Sequence, residues 1–243
     1  MSSCHNKRRV GILGYGNLGK FLASKIIESN SYQLAFIWNR SNLCGKLDES
    51  VDSSFILSDI NDFKTKKPDI IVEPTALSDE NLLEELKAAA TINGLYIPSG
   101  ALWGGEDIRK MSDSGVLQSV TVTMKKHPLS LKLEGYLKEK NSHVKSEATV
   151  LYQGCVRDVC ALAPHNTNTM AAAALAAQNL GFDGVTGCLV SDPSLVDYHI
   201  VEIEALGIPK DDGTCFHVHT IRKIQPSLEL SLVTLLQQHF WQP

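Results

Sequence analysis

The stretch VGILGYGNLGK, residues 10–20, decides the fold of the N-terminal half of this chain. An apolar run leads directly into glycines with the spacing Gly14-x-Gly16-x-x-Gly19, and an amphipathic segment follows them. The first glycine permits a tight turn, the second lets a ligand approach the backbone, and the third lets a helix pack closely on a strand. Because the amides and the positive dipole end of a helix attract phosphate, the stretch predicts a dinucleotide-binding strand–turn–helix unit. The predicted cofactor contacts in it are Gly14, Gly16, Asn17, Leu18 and Gly19.

Strand-like and helix-like segments alternate from this turn to about residue 101. Strands are predicted for YQLAFIWNR (32–40), SSFILSD (53–59), PDIIVE (68–73) and GLYIPSG (94–100), and a helix for residues 78–94. This alternation is typical of a doubly wound parallel sheet. We therefore predict an α/β domain of the Rossmann type over residues 1–101.

The end of the second predicted strand is the position that contacts the adenosine ribose of a bound dinucleotide. NAD-selective domains usually carry Asp or Glu there, whereas this chain has Asn39 and Arg40. Asn39 can still hydrogen-bond a ribose hydroxyl, and Arg40 can pair with a 2′-phosphate, unless it only faces solvent. The sequence therefore predicts NAD or NADP as cofactor and leaves the choice between them open.

After residue 101 the chain changes to strands in which apolar and polar residues alternate, such as SVTVTMKKH (119–127) and YHIVEIEAL (198–206). Alternation indicates a sheet with one covered face. We predict an α+β domain over residues 102–224, covered by a helix at about 168–179 and by a C-terminal helix at about 228–240. The segment 225–243 is also a candidate for packing back on the first domain.

Composition narrows the class of protein. The chain has 243 residues, 43% of them apolar, and a net charge of −4, which is typical of a globular protein. No basic track indicates nucleic-acid binding, and no apolar run is long enough to span a membrane. Six scattered cysteines without a Cys-x-x-Cys pair favour reduced thiols in the cytoplasm over disulfides or a metal site.

Polar chemistry is concentrated in two segments of the second half. APHNTNTMAAAALAA (163–177) places four Asn and Thr residues just before an alanine-rich helix, and helix capping alone does not require so many. SDPSLVDYHIVEIE (191–204) places His199 at the start of an alternating strand. His217 and His219 share one face of a strand, but no third ligand converges on them, so packing or a surface position is favoured over metal binding.

These segments, together with the glycine turn, IWNR (37–40) and PSGALWGGEDI (98–108), resemble the L-aspartate dehydrogenase family over nearly the whole chain. The resemblance implies a Rossmann domain, a mixed α/β catalytic and dimerisation domain, and a homodimer. It implies oxidation of L-aspartate with NAD or NADP to iminoaspartate, which hydrolyses to oxaloacetate and ammonia and in some organisms feeds NAD biosynthesis. By motif, His199 matches the catalytic histidine, Asn168 a cofactor-contacting Asn, and Ala76 an Ala that lies against the cofactor.

The implied chemistry agrees with these residue types. A hydride can leave the α-carbon only after the substrate ammonium has lost a proton, and imidazole is suited to accept it near neutral pH. The two carboxylates of the substrate need cationic or amide partners. The candidates that the sequence offers, without ranking them, are Lys125, His127, Arg157 and Asn166.

The stretch IIVEPTALSD (70–79) departs from the family pattern. Family members usually place a short turn, a helix and a further strand between the residues that match Glu73 and Pro74, and here these two are adjacent. A strand cannot leave the middle of a parallel sheet unless its neighbours re-pair or expose their backbone groups. We therefore expect a Rossmann-type domain that lacks one helix–strand unit, as in a splice form or exon-skipped gene model. The alternative function is a catalytically impaired dinucleotide-binding isoform.

Overall fold

A computed structural model describes residues 7–39, 43, 47–48, 50–72, 80–89, 94–96 and 102–225. The chain divides into two compact units, Met1–Pro98 and Ser99–Pro243. Several sequence predictions lie outside the described residues: Arg40, the junction Glu73–Pro74, Ala76, and the C-terminal helix. No helix in the described ranges combines the length and the apolar character needed to cross a membrane.

The first unit is built on a four-stranded sheet in which all pairs are parallel, in the order β2-β1-β3-β4. Its elements are β1 (Arg8–Leu13), α1 (Asn17–Glu28), β2 (Tyr32–Trp38), β3 (Ile70–Val72), α2 (Glu80–Ala89) and β4 (Gly94–Tyr96). Strand β1, inside the sheet, and strand β2, at one end of the strand order, each contain a run of four buried residues, as strands with both faces covered do. The predicted parallel α/β sheet is confirmed.

The strand predicted over residues 53–59 is wrong. Ser53–Phe55 form a 3-10 turn, and only Ile56 pairs with β2, through a single parallel bridge to Ile37. Asp52 accepts a hydrogen bond from the amide of Ser54, and Asp59 accepts one from Asn61 at the start of the next 3-10 turn. Such local bonds between side chain and backbone compete with a strand ladder, which explains why the pairing stops after one residue.

Strands β3 and β4, on either side of the Glu73–Pro74 junction, are direct neighbours. Ile70 pairs with Gly94, Ile71 with Leu95 and Val72 with Tyr96, and each strand is three residues long. The backbone groups that a further strand would have satisfied are therefore paired between β3 and β4. The sheet closes across the junction instead of leaving a gap.

The second unit contains a five-stranded mixed sheet in the order β6-β7-β5-β8-β9, in which only β5 and β7 are parallel. Its strands are β5 (Leu117–Lys126), β6 (Thr149–Cys155), β7 (Thr186–Ser191), β8 (His199–Gly207) and β9 (His217–Ile224). Its helices are α3 (Gly105–Asp113), α4 (Gly135–Ser142), α5 (Val156–Leu162), α6 (Asn168–Ala176) and α7 (Gly181–Gly184). The mixed α+β class is confirmed.

The two faces of this sheet differ, as the alternation predicts. On β5, Val120, Val122 and Met124 are buried, whereas the residues between them are only half-buried. We call the first side the covered face, because α3 and α6 contact β5 there, and we call the second side the outer face. Helix α6 also contacts α3 and α5, and its residues Ala171–Ala174 are buried. The small alanine side chains therefore serve close packing between helices and sheet.

Candidate active site

The glycine turn of the first unit has the geometry that its spacing predicts. Gly14 has φ 96°, and its amide donates to the carbonyl of Trp38 at 2.7 Å. A Cβ on Gly19 would collide with the carbonyl oxygen of Gly14, so only glycine allows α1 to sit this close to the turn. At Gly16, in contrast, a Cβ would meet no atom within 4 Å, so the space beside this residue is open.

The start of α1 fits a dinucleotide pyrophosphate. Gly16 occupies the N-cap position and offers no capping side chain, and the first turn contains no acidic residue. The open space beside Gly16 lets a phosphate approach the helix amides directly. Asn17 and Leu18 form the first residues of α1.

Asn39 holds the turn from the neighbouring strand. Its Oδ1 accepts a hydrogen bond of 2.9 Å from the amide of Tyr15. The hydroxyl of Tyr15 donates in turn to Asp48 at 2.9 Å, and Lys20 lies 3.3 Å from the same carboxylate. The hydrogen bond from Tyr15 lowers the pKa of Asp48, and burial raises the pKa of Tyr15. Sequence reasoning missed Asp48, because it follows β2 by ten residues and no motif marks it.

His199, the predicted catalytic residue, is the first residue of β8 and is buried. It alternates with Val201 and Ile203, which are buried as well, so its side chain lies on the covered face. The following residue, Ile200, lies opposite Lys125, close to the C-terminal end of β5. His199 is therefore at the end of the sheet where the parallel strands β5 and β7 finish.

Helix α6 directs its N-terminus toward the same end. Its first turn lies over β7, because a Cβ on Gly187 would be 3.0 Å from the sulfur of Met170. Beyond its C-terminus, the side-chain amide of Asn179 donates to the carbonyl of Leu117, the first residue of β5, at 2.9 Å. Gly187 lies beside Val122 in the middle of β5, so α6 runs antiparallel to this strand. Asn168, exposed at the start of α6, thus shares a face and an end of the sheet with His199.

The Asn/Thr segment before α6 uses part of its polar groups within the fold. The side-chain amide of Asn166, which is buried, donates to the carbonyl of Lys132 at 2.9 Å. The hydroxyl of Thr167 donates to the carbonyl of Ala163 at 3.3 Å. Asn166 therefore ties the loop after β5 to the segment before α6, which accounts for one of the four candidates for binding substrate carboxylates.

The other three candidates are also engaged in the structure. Lys125 lies on the outer face and pairs with Glu202 at 2.7 Å, so it projects away from His199. Arg157 makes two hydrogen bonds of 2.7 Å to Asp183, near the start of β7 and thus at the far end of the sheet. His127 follows β5 at the His199 end, where its Nδ1 accepts a bond of 3.3 Å from the amide of Leu129.

The histidines of β9 take no part in this arrangement. His217 is exposed and lies 2.9 Å from Glu204, which is also exposed. Among the described residues, no group of three or more His, Cys, Asp or Glu side chains is placed to hold a metal ion.

Sequence reasoning missed one cation on the covered face. Arg222 of β9 lies opposite Val201, and its guanidinium is 5.0 Å from the centre of the Trp103 ring. The alternation along β9 indicates which residues of that strand share a face with Arg222. Only the pairing of β8 with β9 shows that this face is also the face of His199.

Comparison with known proteins decides the family. The family model described as the C-terminal domain of aspartate dehydrogenase matches residues 107–237, which is more than half of the chain. The chain belongs to the aspartate dehydrogenase family. It is 44% identical to an aspartate dehydrogenase domain-containing protein of Xenopus tropicalis, over 89% of this chain and 86% of the relative.

More distant relatives agree with this family. An L-aspartate dehydrogenase of Nitrosopumilus maritimus is 27% identical over 82% of this chain and 84% of its own length. Among solved structures, the aspartate dehydrogenase of Thermotoga maritima has a TM-score of 0.59 at 19% identity and covers 97% of this chain and 96% of its own. This last likeness shows a shared fold. The family implies a nicotinamide dinucleotide as cofactor and a small molecule as substrate.

Both sequence alignments are longer than the part of this chain that they cover. The alignment with the Xenopus protein has 247 positions but covers 89% of this 243-residue chain, which is about 216 residues, so about 30 positions have no residue here. The alignment with the Nitrosopumilus protein has 232 positions and covers 82%, about 199 residues, and again leaves about 30 positions without a counterpart. One helix–strand unit with its connections has about this length.

Proposed function

We propose that this chain is an NAD(P)-dependent L-aspartate dehydrogenase that oxidises L-aspartate to iminoaspartate, which water converts to oxaloacetate and ammonia. The observation that carries the proposal is the position of His199. It is a buried histidine on the covered face, at the end of the sheet toward which α6 directs Asn168, in a chain of the aspartate dehydrogenase family.

His199 is proposed as the general acid/base. It takes a proton from the substrate ammonium, and the freed nitrogen lone pair then forms the carbon–nitrogen double bond. The bound dinucleotide accepts the hydride from the α-carbon. Addition of water to the iminium product and loss of ammonia complete the reaction outside the redox step. Imidazole suits this role because its ordinary pKa, about 6.5, lets it bind and release a proton near neutral pH.

Residues of both units are proposed to hold the cofactor. The turn from Gly14 to Gly19 and the amides of α1 would bind the pyrophosphate, and Asn39 keeps this turn in place through the amide of Tyr15. Asn168 and Ala76 are proposed as further contacts on the family motif, and Arg40 as the residue that admits a 2′-phosphate. A homodimer in the cytoplasm, with the predicted domains 1–101 and 102–224, is proposed on the same resemblance.

A second candidate function is a dinucleotide-binding form of the family that does not turn over substrate. Two observations favour it: β3 and β4 are direct neighbours across the junction, and about 30 alignment positions are missing from this chain. In that case the chain binds NAD or NADP but leaves L-aspartate unchanged.

One experiment separates the two functions. The purified chain is incubated with L-aspartate and either NAD or NADP, and reduced dinucleotide is followed by its absorbance, while calorimetry measures cofactor binding. Turnover that needs both L-aspartate and dinucleotide supports the dehydrogenase. Binding without turnover supports the second function, and loss of binding as well contradicts both.

A further inference from the structure

The pairing of β8 with β9 places a cation beside His199. His199 lies opposite Ile224, and Val201 lies opposite Arg222. Residues two positions apart on one strand point to the same face, so Arg222 and His199 are diagonal neighbours on the covered face. Diagonal pairs of this kind lie roughly 7–8 Å apart, which is within reach of a long side chain.

An independent pair of contacts confirms this orientation. The guanidinium of Arg222 lies over Trp103, which is two residues before the start of α3, one of the helices of the covered face. The ammonium of the next residue, Lys223, lies 5.5 Å from the ring centre of Tyr198, the residue before His199. Two successive cations of β9 thus stack on aromatic rings on opposite faces of the same sheet edge. Only Arg222 is on the side of His199.

We propose that Arg222 binds a carboxylate of the substrate and thereby selects dicarboxylic amino acids at the His199 site. This inference rests on the proposed dehydrogenase function. It assigns the residue that recognises the substrate, whereas His199 accepts the proton.

The chemistry of arginine suits this role. Its planar guanidinium can donate two parallel hydrogen bonds to one carboxylate, and it is less strongly hydrated than an ammonium, so partial burial costs it less. Burial lowers the pKa of Arg222, yet a guanidinium stays charged at neutral pH. Stacking on Trp103 restrains the guanidinium plane before substrate arrives, which reduces the entropy lost on binding.

The alternatives are less well placed. Lys125 lies on the outer face in an ion pair with Glu202, and the guanidinium of Arg157 makes a two-pronged contact with Asp183 at the far end of the sheet. Among the described Lys and Arg residues of β5, β8 and β9 near His199, strand alternation places Lys126 and Arg222 on the covered face, and the guanidinium of Arg222 lies over the Trp103 ring there.

The test compares Arg222→Met with Lys223→Met in the full chain. Lys223 is the matched control, because it is the neighbouring cation on the same strand and also stacks on an aromatic ring, but on the other face. Binding of succinate, a dicarboxylate without an amino group, is measured by calorimetry with NADP present. For Arg222→Met we expect about 10- to 100-fold weaker succinate binding, the usual loss for a charged hydrogen bond, with unchanged NADP affinity. Lys223→Met should stay within about twofold of the unaltered chain.

A second readout uses the proposed reaction. Arg222→Met should raise the KM for L-aspartate by a similar factor and lower the preference for L-aspartate over L-alanine, which lacks the side-chain carboxylate. Arg222→Lys should recover part of the loss, since it keeps the charge but not the two-pronged geometry. A variant that only damaged packing would affect both amino acids equally.

The outcomes separate this inference from the proposed function. Succinate binding that depends on Arg222, without turnover of L-aspartate, supports the assignment of Arg222 while contradicting the dehydrogenase. Equal succinate binding by Arg222→Met and the unaltered chain overturns the assignment, as does the absence of succinate binding by the unaltered chain. An equal loss of succinate binding in Lys223→Met overturns it too. The loss would then result from a change at the sheet edge as a whole and not from a residue on the face of His199.

Discussion

The two sheets of this protein differ most in the length of their strands. In the second unit, β5 has ten residues, β8 nine and β9 eight, and each pairs over most of its length. In the first unit, β3 and β4 have three residues each, and these are the two strands on either side of the junction. The unit with the proposed acid/base therefore has long, extensively paired strands. The unit with the phosphate turn has two short strands, β3 and β4, in the same sheet as the strands that flank the turn.

This difference shows where the function of the chain is most vulnerable. A three-residue parallel pairing supplies few hydrogen bonds, so opening β3 from β4 should cost far less free energy than opening β5 from β8. The glycine turn itself depends on β1 and β2, which are longer and buried. We therefore expect the chain to keep its ability to bind a dinucleotide even under conditions in which β4 separates from β3.

The largest expected effect tests the second unit. His199→Asn should lower the rate of L-aspartate oxidation by about 10²- to 10⁴-fold, the usual contribution of a general base, and leave NADP binding unchanged. The matched control is His219→Asn, since His219 is exposed on β9 and points to the outer face. Steady-state kinetics and cofactor calorimetry measure both variants. Equal activity of His199→Asn and the unaltered chain would remove His199 from the chemistry.

The next effect tests the first unit through two glycines of one turn. Gly19→Ala should destabilise this unit by several kcal/mol, because the added Cβ collides with the Gly14 carbonyl. Gly16→Ala has open space for its Cβ and an ordinary negative φ of −78°, so the fold should hold while dinucleotide affinity falls at least about tenfold.

Hydrogen exchange of peptides from β1 reports on the fold of these glycine variants, and calorimetry reports on NAD and NADP binding. If Gly16→Ala bound the dinucleotide as tightly as the unaltered chain, the phosphate would not approach the turn at this residue.

The sequence predicted the local parts of this architecture well and the long-range parts poorly. The glycine turn follows from a few adjacent residues, and the structure has the tight turn at Gly14 and the close approach at Gly19. The sequence predicts Arg157 as a candidate substrate ligand because it is a cation. It does not reveal that Arg157 pairs with Asp183, which is 26 positions away and is linked to it by no pattern. Arg222 was missed for the same reason: its closeness to His199 depends on the pairing of two separate strands.

Face assignments show the same limit. Alternation on β5 predicts that Lys125 points away from Val122 and Met124, but not which side His199 occupies. That requires the register between β5 and β8, in which Ile200 and not His199 lies opposite Lys125. The strand predicted at residues 53–59 was wrong because side-chain bonds from aspartates to nearby amides are not visible in hydrophobic periodicity.

A smaller effect concerns the stability of the second unit. The hydroxyl of Thr220, on β9, is buried and has no hydrogen-bond partner in the described part of the chain. Thr220→Val keeps the shape and removes this polar group, so it should raise the free energy of unfolding by about 1 kcal/mol. Urea unfolding measures the change, which should widen the stability difference between the two units. Destabilisation by this variant would indicate that the hydroxyl is satisfied.

The smallest expected effects concern the stability of the two units at acid pH, because each unit contains a carboxylate whose pKa is lowered. The Tyr15 hydroxyl lowers the pKa of Asp48, and the Arg157 guanidinium lowers that of Asp183. A carboxyl whose folded-state pKa is lowered contributes stability above its ordinary pKa of about 4, and this contribution is lost as the pH falls through the lowered value.

The first unit of Asp48→Asn should therefore lose less stability than the unaltered chain as the pH falls. Asp183→Asn should have the same effect on the second unit. Asp48 is half exposed and Asp183 is largely exposed, so the changes should be modest and should shrink in high salt. Urea midpoints between about pH 2 and 6 measure the decline, with hydrogen exchange to assign it to a unit. An unchanged acid decline in either variant would contradict the corresponding pair.

The most direct measurement of the central claim compares three proteins in one assay: this chain, its His199→Asn variant, and a form that carries the corresponding segment of the Xenopus relative after Glu73. Each is incubated with L-aspartate and NAD or NADP, and reduced dinucleotide is recorded. We predict that this chain and the extended form reduce dinucleotide only with L-aspartate present, the extended form faster, and that His199→Asn abolishes the signal. Turnover by the extended form alone would contradict activity of this chain, and the absence of turnover in both would contradict an L-aspartate dehydrogenase.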